Sequence, residues 1–306
     1  MELLKWLQEL RTPFMDGMFS TITHLGEENI FIVLGILFFW CVSKREGYFL
    51  LATGLIGTVL NQFLKLWYRI PRPWVLDETF EIVESARAEA TGYSFPSGHT
   101  QMAAGLFGGI ARWHKGWVRI AGIALALLVA FSRLYLGVHT PLDVGIGLLM
   151  GIVLVLVLYP LMHKVTANER LMRVLLAVMV LIAAGNLAFV TLYPFPADVD
   201  ADNLAHGMKQ AYTTLGCLVG LLVAFEIDHR FIRFDTKAVW WVQILKAVLG
   251  LILLLAIKEG FKIPLRAIFG THYLGDGIRY CCMTIFAGCV WPLSFRCLNK
   301  LADRKA

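Results

Sequence analysis

The feature that most constrains this fold is a succession of apolar segments, each close to the length of a membrane-spanning helix, joined by short charged connections. A helix needs about 20 apolar residues to cross the hydrocarbon core of a bilayer. Helices satisfy all their backbone hydrogen bonds internally, which an open sheet cannot do in lipid. We therefore predict an all-α fold, a polytopic transmembrane helical bundle. Its spans, about nine in number, are predicted at residues 29–42, 48–66, 98–112, 117–133, 141–160, 172–193, 207–226, 238–257 and 275–295.

Composition excludes an ordinary water-soluble domain. Hydrophobic residues make up 58% of the 306 residues and charged residues only 16%, whereas soluble domains carry about 25% charged residues. The net charge of +6 is dispersed over loops, so it indicates membrane topology and predicts no nucleic-acid partner. The six cysteines lie in or beside apolar segments without zinc-ligand spacing, and we interpret them as small buried hydrophobic residues.

The sequence divides into three parts. Residues 1–28 alternate Leu, Trp and Phe with charged residues and have no long apolar core, which predicts an interfacial amphipathic segment and not a cleavable signal peptide. Residues 29–160 form a core that holds the motifs described below. Residues 161–306 are predicted to be a C-terminal transmembrane extension.

Lys and Arg are more frequent in one set of loops than in the other. Because cytoplasmic loops carry the excess of basic residues, the C-terminus is predicted to be cytoplasmic. Lys258, Lys262 and Arg266 lie on the opposite side and run against this rule. The predicted location is the plasma or inner membrane.

Three segments place charged residues at the ends of apolar spans: residues 65–73 (KLWYRIPRP), 93–100 (YSFPSGHT) and 132–143 (SRLYLGVHTPLD). The alternation of spans brings all three to the same, non-cytoplasmic face. Ionisable residues at membrane depth are functional candidates. We therefore expect these segments to converge on one site.

The residue types in these segments suit a phosphate dianion. Basic side chains form strong charge-assisted hydrogen bonds to phosphate oxygens, and a Pro-Ser-Gly-His turn at a helix start presents free N–H groups to an anion. His139 and Asp143 are four residues apart, so on a helix they share one face. The carboxylate would then orient the imidazole and stabilise its positive charge.

Taken together, the motifs resemble the type 2 phosphatidic acid phosphatase superfamily, whose signature is K-x6-R-P, then P-S-G-H, then S-R-x5-H-x3-D. Every signature position is matched in order and spacing between Lys65 and Asp143. Three separate motifs are far more specific than any one of them.

The resemblance implies a mechanism. His139, activated by Asp143, would attack phosphorus and form a phosphohistidine, and His99 would protonate the leaving alcohol and then activate water. Neither a metal nor another cofactor is implied. The residues that would hold the phosphate oxygens are Lys65, Arg72, Ser97, Gly98 and Arg133.

The additional spans resemble the branch of sphingosine-1-phosphate phosphatases and glucose-6-phosphatases. The leading interpretation is an integral-membrane lipid phosphate monoesterase, acting on a long-chain-base phosphate or a phosphatidic-acid-like lipid among membrane lipids. Alternatives within the same site are a polyprenyl pyrophosphate phosphatase, a sugar phosphatase and a phosphotransferase. An anion transporter is the alternative of another class.

One further pattern lies in the extension. Arg266, His272 and Asp276 repeat the spacing of the third motif, with Leu265 in place of its serine and no second Pro-Ser-Gly-His before it. The repeat is either a decayed internal duplication or a coincidence, and we predict no catalysis there.

Overall fold

The computed structural model describes residues 1–165 and 168–303. It is 81% helical, and no strand occurs in these two ranges, so the prediction of an all-α helical bundle is confirmed. The α-helices are α1 Glu2–Glu9, α2 Pro13–Thr23, α3 Glu28–Leu37, α4 Lys44–Tyr68, α5 Pro73–Leu76, α6 Gly98–Trp113, α7 Trp117–Tyr135, α8 Pro141–Val165, α9 Glu169–Leu192, α10 Ala201–Ile227, α11 Trp240–Gly260, α12 Lys262–Phe269, α13 Leu274–Ile285 and α14 Phe295–Asp303. Short 3₁₀ or π turns occupy His24–Gly26, Phe38–Val42, Glu84–Ala86, Asp228–Ile232, Phe286–Val290 and Trp291–Ser294.

Six segments of the described chain are long and apolar enough to cross a membrane: Lys44–Leu76, Trp117–Tyr135, Pro141–Val165, Glu169–Leu192, Trp240–Phe269 and Leu274–Lys300. A seventh arises if Pro13–Gly26 and Glu28–Val42, which are bent by 53° at their junction, form one span. The predicted spans 98–112 and 207–226 correspond to α6 and α10, which are not among these segments. The total of nine stays a prediction.

The predicted orientation can be tested directly. We expect Met1 and residues 195–202 to be outside the cytoplasm and Ala306 inside, because nine crossings put the two termini on opposite sides and the basic loops set the direction. Ala306 lies outside the described residues. Cysteine-accessibility labelling in intact cells, with labelling after permeabilisation as the control, measures this. Both termini on one side would show that a predicted span does not cross.

The chain forms two compact units, and the first holds the three motifs. It consists of Met1–Ile32, Phe49–Leu161 and Pro194–Gly207. Within it, α8 packs very closely on α6: a Cβ added to Gly147 would lie 2.7 Å from the Ser97 carbonyl oxygen, and one added to Gly151 would lie 2.4 Å from the Ala104 Cβ. Glycine at both positions therefore lets the start of α8 approach the start of α6.

Helix α2 packs on α7 in the same unit. The Phe19 ring lies 4.4 Å from the Tyr135 ring and 5.3 Å from the Phe131 ring, between centroids. Tyr135 also donates a 2.8 Å hydrogen bond to Asp16. These contacts fix the N-terminal helices against the end of α7 that carries Arg133.

The second unit consists of Val33–Tyr48, Met162–Tyr193 and Met208–Ala306. Small residues bring α10 and α13 together there, since a Cβ added to Gly216 would lie 2.0 Å from the Gly277 carbonyl oxygen and one added to Gly220 would lie 2.7 Å from that of Cys281. Close backbone approach through small residues is the usual packing of helices in membranes.

Candidate active site

Four helix ends of the first unit meet at one place. Lys65 lies in the last turn of α4 and Arg133 in the last turn of α7, whereas Asp143 lies in the first turn of α8. His139 lies in the connection between α7 and α8, and Ser97 precedes α6. Lys65, Arg133, His139 and Asp143 are each at most 5% exposed. The structure thus gathers the three sequence motifs into one buried, highly charged cluster.

The carboxylate of Asp143 is held beside the imidazole of His139. Its Oδ2 lies 3.6 Å from His139 Nδ1 and accepts 2.7 Å hydrogen bonds from the Thr140 amide and the Ser94 hydroxyl. Ser94 Oγ is itself 3.4 Å from His139 Nδ1. The Ser97 amide donates a 3.0 Å hydrogen bond to the Asp143 carbonyl. Asp143 is therefore held by hydrogen bonds from three residues and can orient the imidazole through Nδ1.

The other imidazole nitrogen faces a cation. Arg72 Nη1 lies 3.0 Å from His139 Nε2, and because a guanidinium can only donate, Nε2 is the unprotonated nitrogen. Burial, followed by the charge of Arg72, lowers the pKa of His139 well below its usual value. A nucleophilic histidine must be neutral and must present a nitrogen lone pair to the phosphorus atom. Nε2 of His139 meets this requirement beside Arg72, the side chain that is expected to bind the phosphate.

Arg72 and Lys65 also hold the loop before α6 in place through hydrogen bonds to its carbonyl oxygens. Arg72 donates to the carbonyl oxygens of Thr91 at 2.7 Å, Gly92 at 3.1 Å and Val138 at 3.0 Å. Lys65 Nζ donates to the Tyr93 carbonyl and lies 3.5 Å from that of Ser94. Both cations thereby hold the chain that leads into the Pro-Ser-Gly-His turn.

Arg133 differs from the other two cations because part of its guanidinium is unpartnered. Nη1 donates a 2.6 Å hydrogen bond to Thr23 Oγ1. Nε and Nη2 are buried and have no hydrogen-bond partner in the described chain. The residue is 0% exposed, and a buried ionised group without partners is strongly unfavourable. The two free donors therefore indicate a place for an anion.

The Pro-Ser-Gly-His turn starts α6. Ser97 is the N-cap: its Oγ accepts from the Thr100 amide at 3.4 Å and from the Thr100 hydroxyl at 2.9 Å. Its side chain is thus engaged in capping, which the sequence prediction of a phosphate-binding Ser97 did not include. Gly98 is the first residue of the helix, where backbone N–H groups have no intrahelical acceptor.

His99 follows in the first turn of α6. Its Nε2 is buried, forms no hydrogen bond with any described residue and lies 3.9 Å from Glu89 Oε2. Burial raises the pKa of the Glu89 carboxyl. His99 is therefore free to exchange a proton with a bound molecule.

Three contributors to the site were not identified from the sequence: Thr23, Glu89 and Ser94. Ser94 lies inside the quoted segment 93–100, and its place before the turn was the available signal. Thr23 is 110 residues away from Arg133 along the chain. Only the packing of α2 on α7 brings it to the site.

Among the described residues, one group has side chains near enough to share a metal ion: His24, Glu27 and Glu89, with ligand atoms within 4.8 Å of one another. His24 Nδ1 is hydrogen bonded to Glu27 and lies 3.0 Å from Glu89 Oε1. Direct contact among these side chains accounts for their proximity, so the cluster does not by itself indicate a cation.

Comparison with known families gives two matches along the chain. Residues 45–167 match the model of the PAP2 superfamily, and this range contains all three motifs. Residues 212–304 match the model described as the PAP2 superfamily phosphatase, transmembrane extension.

Individual relatives are similar over about half of the chain. Phosphatidylglycerophosphatase B of Bacillus subtilis (strain 168) is 31% identical over 159 residues, 47% of this chain and 74% of the relative. An undecaprenyl-diphosphatase of Sulfolobus acidocaldarius is 30% identical over 151 residues, 49% of this chain and 72% of the relative. A probable sphingosine-1-phosphate phosphatase of Dictyostelium discoideum is 31% identical over 164 residues, 49% of this chain and 39% of the relative.

Proposed function

This chain belongs to the PAP2 superfamily and is a phosphatase, and we propose that it hydrolyses a lipid phosphate monoester at the extracytoplasmic end of its helical bundle. The expected substrate is a long-chain-base phosphate or a phosphatidic-acid-like lipid. The observation that carries the proposal is the pair of unpartnered donors on the fully buried Arg133. Beside Lys65 and Arg72, they form a site whose fixed positive charge suits a phosphate dianion.

In the first step, His139 Nε2 attacks phosphorus while the bond from phosphorus to the ester oxygen breaks. The ester oxygen takes the electron pair of that bond and receives a proton from His99, so the lipid leaves as an alcohol. Asp143, 3.6 Å from His139 Nδ1, stabilises the positive charge that develops on the imidazole. Lys65, Arg72 and Arg133 would stabilise the transferring phosphoryl group.

In the second step, water attacks phosphorus while the P–N bond to His139 breaks. His99, left neutral by the first step, accepts a proton from that water, and Nε2 recovers its lone pair. Inorganic phosphate leaves and the resting state is restored. One histidine thus carries the phosphoryl group and the other carries the proton in both steps.

Two observations support a lipid substrate. The names of all three relatives cited above refer to lipid phosphates or diphosphates. In addition, α7 and α8 expose large apolar side chains, including Ile120, Leu127 and Leu149, as helices in contact with acyl chains do. A substrate with its tails in the bilayer would reach the site along these helices.

A polyprenyl pyrophosphate is the second candidate substrate, because one relative is an undecaprenyl-diphosphatase. The test is a panel on detergent-purified protein with long-chain-base phosphate, phosphatidic acid, polyprenyl pyrophosphate and glucose 6-phosphate, and phosphate release as the readout. The proposal requires the highest kcat/KM for a lipid monoester. A clear preference for the pyrophosphate would replace it with the second candidate, and a preference for glucose 6-phosphate would contradict both.

Activity should survive excess EDTA and be inhibited by orthovanadate. The reason is that Lys65, Arg72 and Arg133 supply the positive charge that metal ions supply in other phosphoryl-transfer enzymes, and vanadate adopts the geometry of the transferring group. Initial rates with EDTA, with EDTA plus Mg²⁺, and with vanadate measure this. Loss of activity on chelation and recovery with Mg²⁺ would contradict the proposed mechanism. It would instead indicate a metal-dependent enzyme, with His24, Glu27 and Glu89 as the candidate ligands.

A further inference from the structure

The second unit contains a cavity of about 470 Å³ whose lining includes several charged side chains. It lies where α12 is followed by the loop into α13, and one residue of α10 borders it. The three residues that repeat the spacing of the third motif, Arg266, His272 and Asp276, all line this one cavity. Its charged lining residues are Lys209, Lys262, Arg266, Asp276 and Arg279, and His272 and Tyr273 also line it.

The repeat does not reproduce the catalytic pair. His272 Nδ1 accepts a 3.1 Å hydrogen bond from the Leu274 amide. Asp276 Oδ1 pairs with Arg279 Nη2 at 2.6 Å. Asp276 does not orient His272 as Asp143 orients His139. We therefore interpret the cavity as a binding site and not as a second catalytic site.

Positive charge dominates the cavity. Four basic side chains line it against the single carboxylate of Asp276. Lys262 also lies 3.9 Å from Glu259, a contact between two solvent-exposed groups that contributes little. Neither Lys209 nor Arg266 forms an ion pair with a carboxylate in the described ranges. Among the described residues, the cations that line the cavity therefore outnumber the carboxylates that pair with them.

Arg279 is the buried cation of this cavity. The residue is 8% exposed and lines the cavity. While Nη2 pairs with Asp276, Nε is buried and has no hydrogen-bond partner among the residues described. As with Arg133, a buried donor without a partner is unfavourable unless an anion completes its hydrogen bonding.

The cavity is also held in place, and exposed apolar side chains lie on the helix beside it. The close contact of Gly216 with Gly277 fixes α13 against α10. On α12, Ile263 is 78% exposed and Ile268 is 72% exposed, whereas Lys262 and Arg266 of the same helix line the cavity. A short helix with cations on one side and exposed apolar residues on another is typical of the membrane interface.

We propose that this cavity is a second anion site that binds the phosphate group of a membrane phospholipid. Free phosphate offers the same chemistry to Arg266 and Arg279. The exposed isoleucines of α12 favour the lipid as the source, since its acyl chains would contact them. This second site does not depend on the proposed hydrolysis and can be tested separately.

The test uses the full-length protein and the double variant Lys209→Gln/Arg266→Gln, which removes two exposed charges without disturbing the buried pair. Lys258→Gln is the matched control, because Lys258 is a cation that shortly precedes Lys262 in the sequence and does not line the cavity. One arm titrates inorganic phosphate by calorimetry. The other counts bound phosphatidylglycerol against phosphatidylcholine by native mass spectrometry. Turnover of a soluble aryl phosphate and thermal unfolding check that each variant is folded.

The double variant should bind phosphatidylglycerol at least about tenfold more weakly than the wild type and Lys258→Gln, as expected for lost charge-assisted hydrogen bonds. If binding of phosphatidylglycerol is weakened and binding of inorganic phosphate is not, the ligand of the site is the phospholipid. An equal loss for inorganic phosphate supports the anion site but assigns it to free phosphate. Unchanged binding in both arms, in a folded double variant, would overturn the proposal.

Discussion

His139→Ala should form no phosphoenzyme and should lower kcat by roughly 10,000-fold or more, the scale seen when a hydrolase loses its nucleophile. The expectation follows from the geometry at the two imidazole nitrogens. Asp143 is on the Nδ1 side, and Nε2, unprotonated, faces Arg72 at 3.0 Å. Among the described residues of the site, His139 is the one whose imidazole has the Asp143 carboxylate on one side and an unprotonated nitrogen beside the cationic group of Arg72 on the other.

Radiolabelled lipid substrate, mixed with enzyme and quenched into alkaline detergent within the first turnover, measures the phosphoenzyme. Alkali is chosen because phosphohistidine is labile in acid. His163→Ala is the control, since His163 lies in the second unit and should leave both label and turnover unchanged. Label retained in His139→Ala would show that another group is the nucleophile.

His99→Ala should affect substrates according to their leaving groups. A positioned acid contributes about 100- to 10,000-fold, so a lipid phosphate, whose alkoxide needs protonation, should lose activity on that scale. An activated aryl phosphate needs little protonation and should lose much less. The reason is that His99 Nε2 has no hydrogen-bond partner in the described chain and is available to the leaving oxygen.

The measurement is kcat for both substrates in the wild type and in His99→Ala, with single-turnover rates of phosphoenzyme formation. Glu89→Gln is a useful companion, because Glu89 Oε2 lies 3.9 Å from His99 Nε2 and its neutralisation tests whether this carboxyl assists the acid. An equal loss for both leaving groups in His99→Ala would assign His99 to phosphate binding and not to proton transfer.

Motif spacing and the alternation of spans predicted the part of the site that follows from local sequence. Lys65 and Arg133 lie in the last turns of their helices and Asp143 lies in the first turn of the next, so an alternating bundle brings them to one face. Ser97 shows the limit of the pattern: a serine before a helix caps it or binds a ligand, and here its Oγ caps α6. Thr23 and Glu89 reach the site through tertiary packing, which no local pattern encodes.

The number of spans was harder to predict for a related reason. Hydropathy locates apolar segments, but packing decides whether they are long and straight. Helix α6 has only 16 residues, and the predicted first span belongs to a helix pair bent by 53°. Helix α6 and the segment Glu28–Val42 are each shorter than the roughly 20 residues that a straight crossing requires.

The central claim is that phosphate is transferred to His139 itself. The most direct measurement is peptide mass spectrometry of wild-type enzyme that has been quenched in alkali during turnover of a lipid phosphate. The account predicts a phosphoryl group on the peptide that contains His139, absent from enzyme mixed with product alone. A phosphoryl group on His99, or phosphate release in a single turnover with no labelled peptide at any time, would contradict it.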